Sequence, residues 1–181
     1  MKKIMMALAV VGLAVAAQAA SFNWKTAKSG GAVAAGDGIT LAATTAYLFT
    51  SDKAASVLSA FNAGNDWTAG ALDSNAIAAT GKIGTKADFS YNGDLSAIFV
   101  MKQTVDGKDY LYISTTASAS AVDVGAATVQ FKESAVSTAI NDSSKGFVGA
   151  GWYATTAVPE PTSGLLMLVG LGALALRRRR A

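Results

Sequence analysis

The chain has 181 residues, no cysteine, no histidine and a formal net charge of +3. Without histidine it lacks the usual zinc ligand and the usual general base near neutral pH, and without cysteine it forms no disulfides. Six of its positive charges lie at the two ends, in Lys2, Lys3 and the arginines at 177–180. Residues 20–158 hold nine lysines and eleven acidic residues, a net charge of about −2, so we expect no nucleic-acid partner.

The first 19 residues have the layout of a secretory signal peptide. Two lysines precede the apolar residues 4–17, and small residues, Ala17 and Ala19, occupy both key positions before the expected cut. The sequence therefore predicts cleavage between Ala19 and Ala20 and export by the Sec machinery. The alternative, a retained membrane helix, lacks a following stop-transfer pattern, and no cysteine marks a lipoprotein.

The exported body begins with a strand pattern. Ser21–Trp24 predicts a first strand with Phe22 and Trp24 on one face. Residues 28–38 contain four glycines and predict a loop. Tyr47–Phe49 is then expected to form the core of a buried strand.

A helix is predicted to follow, with Ser51 as its N-cap and Gly64 at its end. Apolar residues recur there at the helical spacing i, i+3, i+4, i+7, namely Ala54, Val57, Leu58 and Phe61. Further along, Leu72–Ala79 is expected to form a second short helix before Gly81.

The clearest tertiary signal is a β-hairpin over residues 97–115. Asp106 and Gly107 are typical of a type I′ turn, which joins strands at 97–105 and 108–115. Pairing Val105 with Lys108 places Met101 opposite Tyr112 and Val100 opposite Ile113.

Both faces of this hairpin are apolar. One face carries Ile98, Val100, Leu111 and Ile113, and the other carries Phe99, Met101, Tyr110 and Tyr112. The hairpin is therefore expected in the middle of a sheet that is covered on both sides.

Two more strands, near residues 127–131 and 147–154, are expected to complete the same sheet. The predicted fold of the body, residues 20–157, is α+β, a small antiparallel sheet with one or two helices. An all-β sandwich is the alternative.

Candidate chemistry in the body is sparse, and we predict no catalytic residue, metal site or cofactor. Four segments group acidic or amide side chains, at 37–38, 92–94, 106–109 and 141–144, but turn chemistry explains each and a calcium loop needs more ligands. The hydroxyls near Ser134–Ser137 have no positioned base, and Glu133 is the only glutamate of the body.

Four aromatic residues have two interpretations, a sugar-binding surface or the packing of a small core. They are Trp24, Trp67, Trp152 and Tyr153. Packing is the favoured interpretation.

The last 24 residues, 158–181, form a separate segment. It opens with Pro159, Glu160 and Pro161, which contain the only two prolines of the chain and predict an extended, accessible stretch. The 13 apolar residues Gly164–Leu176 would form a helix of about 20 Å, against a hydrocarbon core of about 30 Å. Four arginines then hold the end on the cytoplasmic side, Arg177, Arg178, Arg179 and Arg180.

This order of signature, short transmembrane helix and basic cluster resembles the PEP-CTERM sorting signal of Gram-negative bacteria. The resemblance implies that exosortase, an integral-membrane cysteine peptidase, cuts near Pro159–Pro161 and releases or transfers the body outward. The chain would then contact the inner membrane only transiently. The alternative is an ordinary C-terminal anchor with a proline-rich hinge. The Leu-Pro-x-Thr-Gly signature of a sortase signal is missing, and a GPI signal lacks the basic cluster.

Two hypotheses for the body follow. A composition rich in Ala, Gly, Ser and Thr is typical of structural or adhesive modules of the cell surface or extracellular matrix. The alternative is a secreted carbohydrate-binding or carbohydrate-active protein with an extracellular polysaccharide as its partner. The absence of histidine favours the first, non-enzymatic hypothesis.

Overall fold

The computed structural model describes residues 19–26, 33, 35–85, 88–132 and 138–155. Within these residues the chain forms ten β-strands in two sheets and one α-helix. The strands are β1 Ala20–Thr26, β2 Thr44–Thr50, β3 Asp73–Ile77, β4 Phe89–Tyr91, β5 Leu95–Val105, β6 Lys108–Ile113, β7 Ala117–Ala119, β8 Ala126–Phe131, β9 Ile140–Asp142 and β10 Gly151–Ala154. The helix α1 spans Ala54–Asn62 and follows a 3-10 turn at Ser51–Lys53.

The larger sheet has seven strands, and the central hairpin organises it. Its order is β3-β2-β5-β6-β10-β9, with β7 paired to the first residues of β5. The smaller sheet has the order β4-β1-β8, in which β1 runs antiparallel to β4 and parallel to β8.

The predicted hairpin and its register are confirmed. Val105 pairs with Lys108, Met101 with Tyr112 and Val100 with Ile113. Asp106 and Gly107 both have positive φ, 51° and 73°, as a type I′ turn requires. β5 and β6 lie in the interior of the larger sheet, as their two apolar faces predict.

The two faces of the hairpin belong to two separate cores. Phe99, Met101 and Tyr112 pack in a core with Phe22 and Trp24 of β1, so this face meets the smaller sheet. The opposite face, with Ile98, Val100, Leu111 and Ile113, packs against α1. The body therefore has three layers, with the larger sheet in the middle.

Buried aromatic rings join the two sheets. The ring centroids of Phe99 and Phe131 lie 4.9 Å apart in an edge-to-face arrangement, and those of Trp24 and Phe99 lie 6.4 Å apart. The Trp24 indole N–H also donates to the Asp73 carboxylate at 2.8 Å. Full burial of one such large side chain contributes about 1.5–3 kcal/mol, so these rings carry much of the stability of the fold.

The predicted helix is confirmed, but its predicted start is wrong. Its buried residues are the four that the helical spacing identified, Ala54, Val57, Leu58 and Phe61. Gly64 ends it at φ 70°, and the bonds Gly64 N–H to Phe61 C=O and Asn65 N–H to Ala60 C=O form a Schellman motif. Ser51 does not cap α1, because its hydroxyl is hydrogen-bonded to that of Ser96 and a 3-10 turn comes first.

The second predicted helix is wrong, because residues 73–77 form strand β3. This strand pairs antiparallel with β2, with Thr44 opposite Ile77 and Leu48 opposite Asp73. Pairing satisfies the backbone of the sheet edge and buries Ile77. A five-residue segment is too short for its helix propensity to oppose these tertiary contacts.

The last two predicted strands exist, but one lies in the other sheet. β8 pairs with β1 across about 105 positions of sequence and completes the smaller sheet. β10 joins the larger sheet beside β6, but it begins only at Gly151. The α+β class is confirmed, since a mostly β body carries one short helical segment.

Candidate functional site

The predicted sorting and cleavage residues fall mostly outside the described residues. This holds for Ala17, for Pro159–Pro161, for the helix 164–176 and for the arginines at 177–180. Ala19 and Ala20 are described, and Ala20 is the first residue of β1, where it pairs with Tyr91. Within the described part of the chain, no helix has the length and apolar character to cross a membrane.

The last residues that the structure describes, Ala154 and Thr155, are hydrogen-bonded to the body. β10 pairs with β6 through Ala154, which lies opposite Tyr110. The next residue, Thr155, donates from both its N–H and its hydroxyl to the Asp109 carbonyl, each at 3.2 Å. Thr155, the last described residue, therefore lies close to the β5–β6 turn.

Acidic side chains support turns at Asp142, in the last of the four predicted segments, and at Asp66, outside them. Asp66 accepts from the hydroxyl and the N–H of Thr68 at 2.6 and 3.0 Å, which lowers the pKa of its carboxyl. Asp142 accepts in the same way from Ser144 at the start of a second 3-10 turn, and its pKa is lowered as well. No group of three or more metal-binding side chains occurs among residues that the structure describes.

Three of the four aromatic candidates are core residues. Trp24, Trp152 and Tyr153 are at most 1% exposed, so the packing interpretation is correct for them. Trp67 is different, because it is half-buried on a loop after α1. Its ring packs edge-on against Tyr47, with centroids 5.3 Å apart and planes at 84°.

Trp67 lines a groove with a cavity volume of about 850 Å³. The other contributors that matter to its chemistry are Asn62, Asn65, Lys102, Lys108, Asp109 and Tyr110, with Thr155 at the chain exit. We call this the Trp67 groove. Its volume is within the range of roughly 300–1,000 Å³ that is common for ligand sites.

The groove exists because α1 is short. The helix has nine residues, about 14 Å, whereas β5 has 11, about 36 Å. Alternation along the strands puts Lys102 and Thr104 on the same face as the covered Val100. Beyond the end of the helix this face is therefore polar.

A hydrogen-bonded cluster holds the floor of the groove. The Asp109 carboxylate accepts from Lys102 Nζ at 3.0 Å and from the Thr104 hydroxyl at 2.6 Å. Partial burial opposes ionisation of Asp109, but these two partners outweigh it and lower its pKa. Asn62, at the end of α1, donates to the Ser143 carbonyl at 2.9 Å, and its Oδ1 is buried without a hydrogen-bond partner in the described chain.

Sequence reasoning named Trp67, but it named Lys108 and Asp109 only as part of a turn segment and missed that they line one groove with Trp67. A signal was present, because the apolar alternation on this face stops after Val100 in β5 and resumes only at Leu111 in β6. The intervening Lys102, Thr104 and Asp109 mark a part of the sheet that no apolar layer covers.

The fold and the groove define an α+β domain with a polar depression that Trp67 lines, close to Thr155. Residues 157–180 match the family model of the PEP-CTERM protein-sorting motif, so the chain carries this motif at its C-terminus. The motif implies processing by exosortase, with export and passage through the membrane before the cell surface. Comparisons with curated proteins and with solved structures find no match to the chain.

Proposed function

We propose that this chain is a cell-surface or extracellular-matrix protein whose body is structural or adhesive, not catalytic. The observation that carries the proposal is the PEP-CTERM motif at residues 157–180, which follows a folded body whose last described residue is Thr155. Such a layout delivers the body outside the cell and leaves it as the functional part.

The side chains of the Trp67 groove favour a role in binding over a role in catalysis. Glycoside hydrolysis needs two facing carboxyl groups, whereas Asp109 is the carboxylate among the described residues that line the groove. That carboxylate is already engaged by Lys102 and Thr104. Its lowered pKa keeps it ionised near neutral pH, which is unfavourable for a general acid.

Alanine replacement of Pro159, Glu160 and Pro161 tests the processing step. The variant keeps the apolar helix and the arginines, so we expect it to stop in the membrane but to lose the segment that the peptidase recognises. It should accumulate as a membrane-bound species that lacks only residues 1–19. Cell fractionation with intact-mass measurement checks this outcome.

Neutral replacement of Arg177–Arg180 is the matched comparison. Without the basic cluster the short helix has nothing to stop its passage, so we expect uncut precursor that has slipped through the membrane. Normal processing of the alanine variant would instead make the proline segment a linker and the tail an ordinary anchor.

A further inference from the structure

We propose that the Trp67 groove binds a polysaccharide built of glucose-type pyranose units, with one sugar ring stacked on the Trp67 indole. This inference rests on the proposed adhesive function and names its ligand. A pyranose ring with equatorial hydroxyls presents an apolar C–H face above and below the ring and polar groups around its edge. The groove has the complementary pair among its lining residues, the aromatic Trp67 and several hydrogen-bonding side chains.

The aromatic platform is fixed before any ligand arrives. Tyr47 supports the indole from one side. The Asp66–Thr68 hydrogen bonds and the Schellman motif at Gly64 hold the loop on both sides of Trp67. Because the loop is already ordered, a ligand loses less binding free energy to ordering the site.

The polar groups fit hydroxyls better than they fit a charged ligand. A sugar hydroxyl both donates and accepts, and the groove supplies donors on Lys102 and Lys108, an acceptor on Asp109 and both on Asn65. Lys102 is neutralised by Asp109 at 3.0 Å, so the groove has no concentrated positive charge for phosphates or nucleic acid.

The position of the groove suits a chain that runs past the body. Asn65 and Lys108 are exposed at its rim, so a polymer can enter and leave without unfolding the loop. Thr155 lies at the same end. The body would therefore hold a polysaccharide beside the point where its own chain continues into the sorting motif.

Binding of cellohexaose to the full-length chain in a zwitterionic detergent tests the proposal. Trp24 and Trp152 are buried, so a saturable change in tryptophan fluorescence would report Trp67. Mannohexaose, which has the same linkage but an axial hydroxyl on each ring, should bind more weakly. Calorimetry should show that Trp67→Ala weakens binding of cellohexaose by about tenfold or more, whereas Trp67→Phe keeps a stacking face and loses less.

Two lysine variants distinguish binding in the groove from a nonspecific effect of the protein's positive charge. Lys108→Ala should weaken binding by about two- to fivefold through a lost hydrogen bond. Lys82 is also exposed but lies outside the residues that line the groove, so Lys82→Ala should leave binding unchanged. If thermal melts show that Trp67→Ala does not fold, Trp67→Phe and Lys108→Ala decide the question.

Absence of saturable cellohexaose binding, or equal affinity in the groove variants and the wild type, overturns the proposal. If either result is found while cell fractionation shows normal processing, the proposed sorting function still stands, because only the assignment of the ligand depends on the groove. Loss of normal processing in the wild type would instead contradict the proposed function.

Discussion

Tyr153 is a buried side chain that supports the fold through its hydroxyl group. The ring is in the core beneath α1, and the hydroxyl accepts from the N–H groups of Val148 and Gly149, each at 3.1 Å. It also donates to the Gly149 carbonyl. One side chain thus closes the loop that leads into β10.

Tyr153→Phe should lower the free energy of unfolding by about 0.5–1.5 kcal/mol at pH 7, because two part-buried N–H groups lose their acceptor. Burial raises the pKa of Tyr153, although the two N–H donors oppose the shift. The folded state then holds this proton more tightly than the unfolded state, so its contribution is present below about pH 10 and is lost as the pH rises further. Denaturant titrations should show the difference between wild type and variant narrowing above about pH 10.

Tyr47→Phe is the control for this effect. Tyr47 is half-buried, its ring contact with Trp67 survives the change, and no hydrogen bond of its hydroxyl occurs within the described residues. We expect nearly unchanged stability. Equal losses in the two variants would contradict a structural role for the Tyr153 hydroxyl.

At the scale of elements, turn residues and apolar spacing correctly predicted the hairpin and the helix, because both depend on neighbouring residues in the sequence. The Asp106-Gly107 turn fixed the register of the central hairpin, because a two-residue loop permits one pairing of its flanking strands. The apolar spacing of α1 identified its buried face. The β3 segment was predicted to be a helix because its extended conformation depends on pairing with β2, which is distant in sequence.

Val100→Asp tests the central position of the hairpin. Val100 is fully buried under α1 and pairs with Ile113, so the substitution places an unpaired charge in a core. We expect a loss of about 3–5 kcal/mol of unfolding free energy, measured by thermal and denaturant melts. Ile113→Asp should behave in the same way.

Lys108→Asp is the control, because it introduces an aspartate at an exposed position of the same hairpin. Its expected effect on stability is within about 0.5 kcal/mol. Similar melts for Val100→Asp and Lys108→Asp would show that the hairpin is not the centre of a sheet covered on both faces.

At the scale of the whole molecule, long-range pairing and layer coverage decide what sequence reasoning missed. β8 was assigned to the wrong sheet because its parallel partner, β1, lies at the other end of the body. The Trp67 groove was missed because it results from a mismatch in length between α1 and the strands beneath it. The break in apolar alternation after Val100 indicates an uncovered face, but the extent of the groove depends on where α1 ends.

The fold and the sorting segment meet within a very short stretch of chain. Thr155 makes the last hydrogen bonds of the described body, and the PEP-CTERM match begins at residue 157. Residues after Val158 should therefore be dispensable for folding but necessary for membrane retention. A chain that ends at Val158 should be exported and released, with an unfolding free energy within about 1 kcal/mol of the processed protein.

A chain that ends at Ala150 is the matched truncation, since it is only slightly shorter but lacks the whole of β10. It loses Trp152 and Tyr153, both buried. Removing one large buried aromatic side chain costs about 3–5 kcal/mol of unfolding free energy. The loss of two such side chains, together with the hydrogen bonds of β10, is therefore comparable to the total stability of a small domain, about 5–15 kcal/mol. Circular dichroism and limited proteolysis should show this chain unfolded and the longer one folded. If the chain ending at Val158 is also unfolded, residues of the sorting segment belong to the core, and exosortase cutting near Pro159 would destroy the body that it releases.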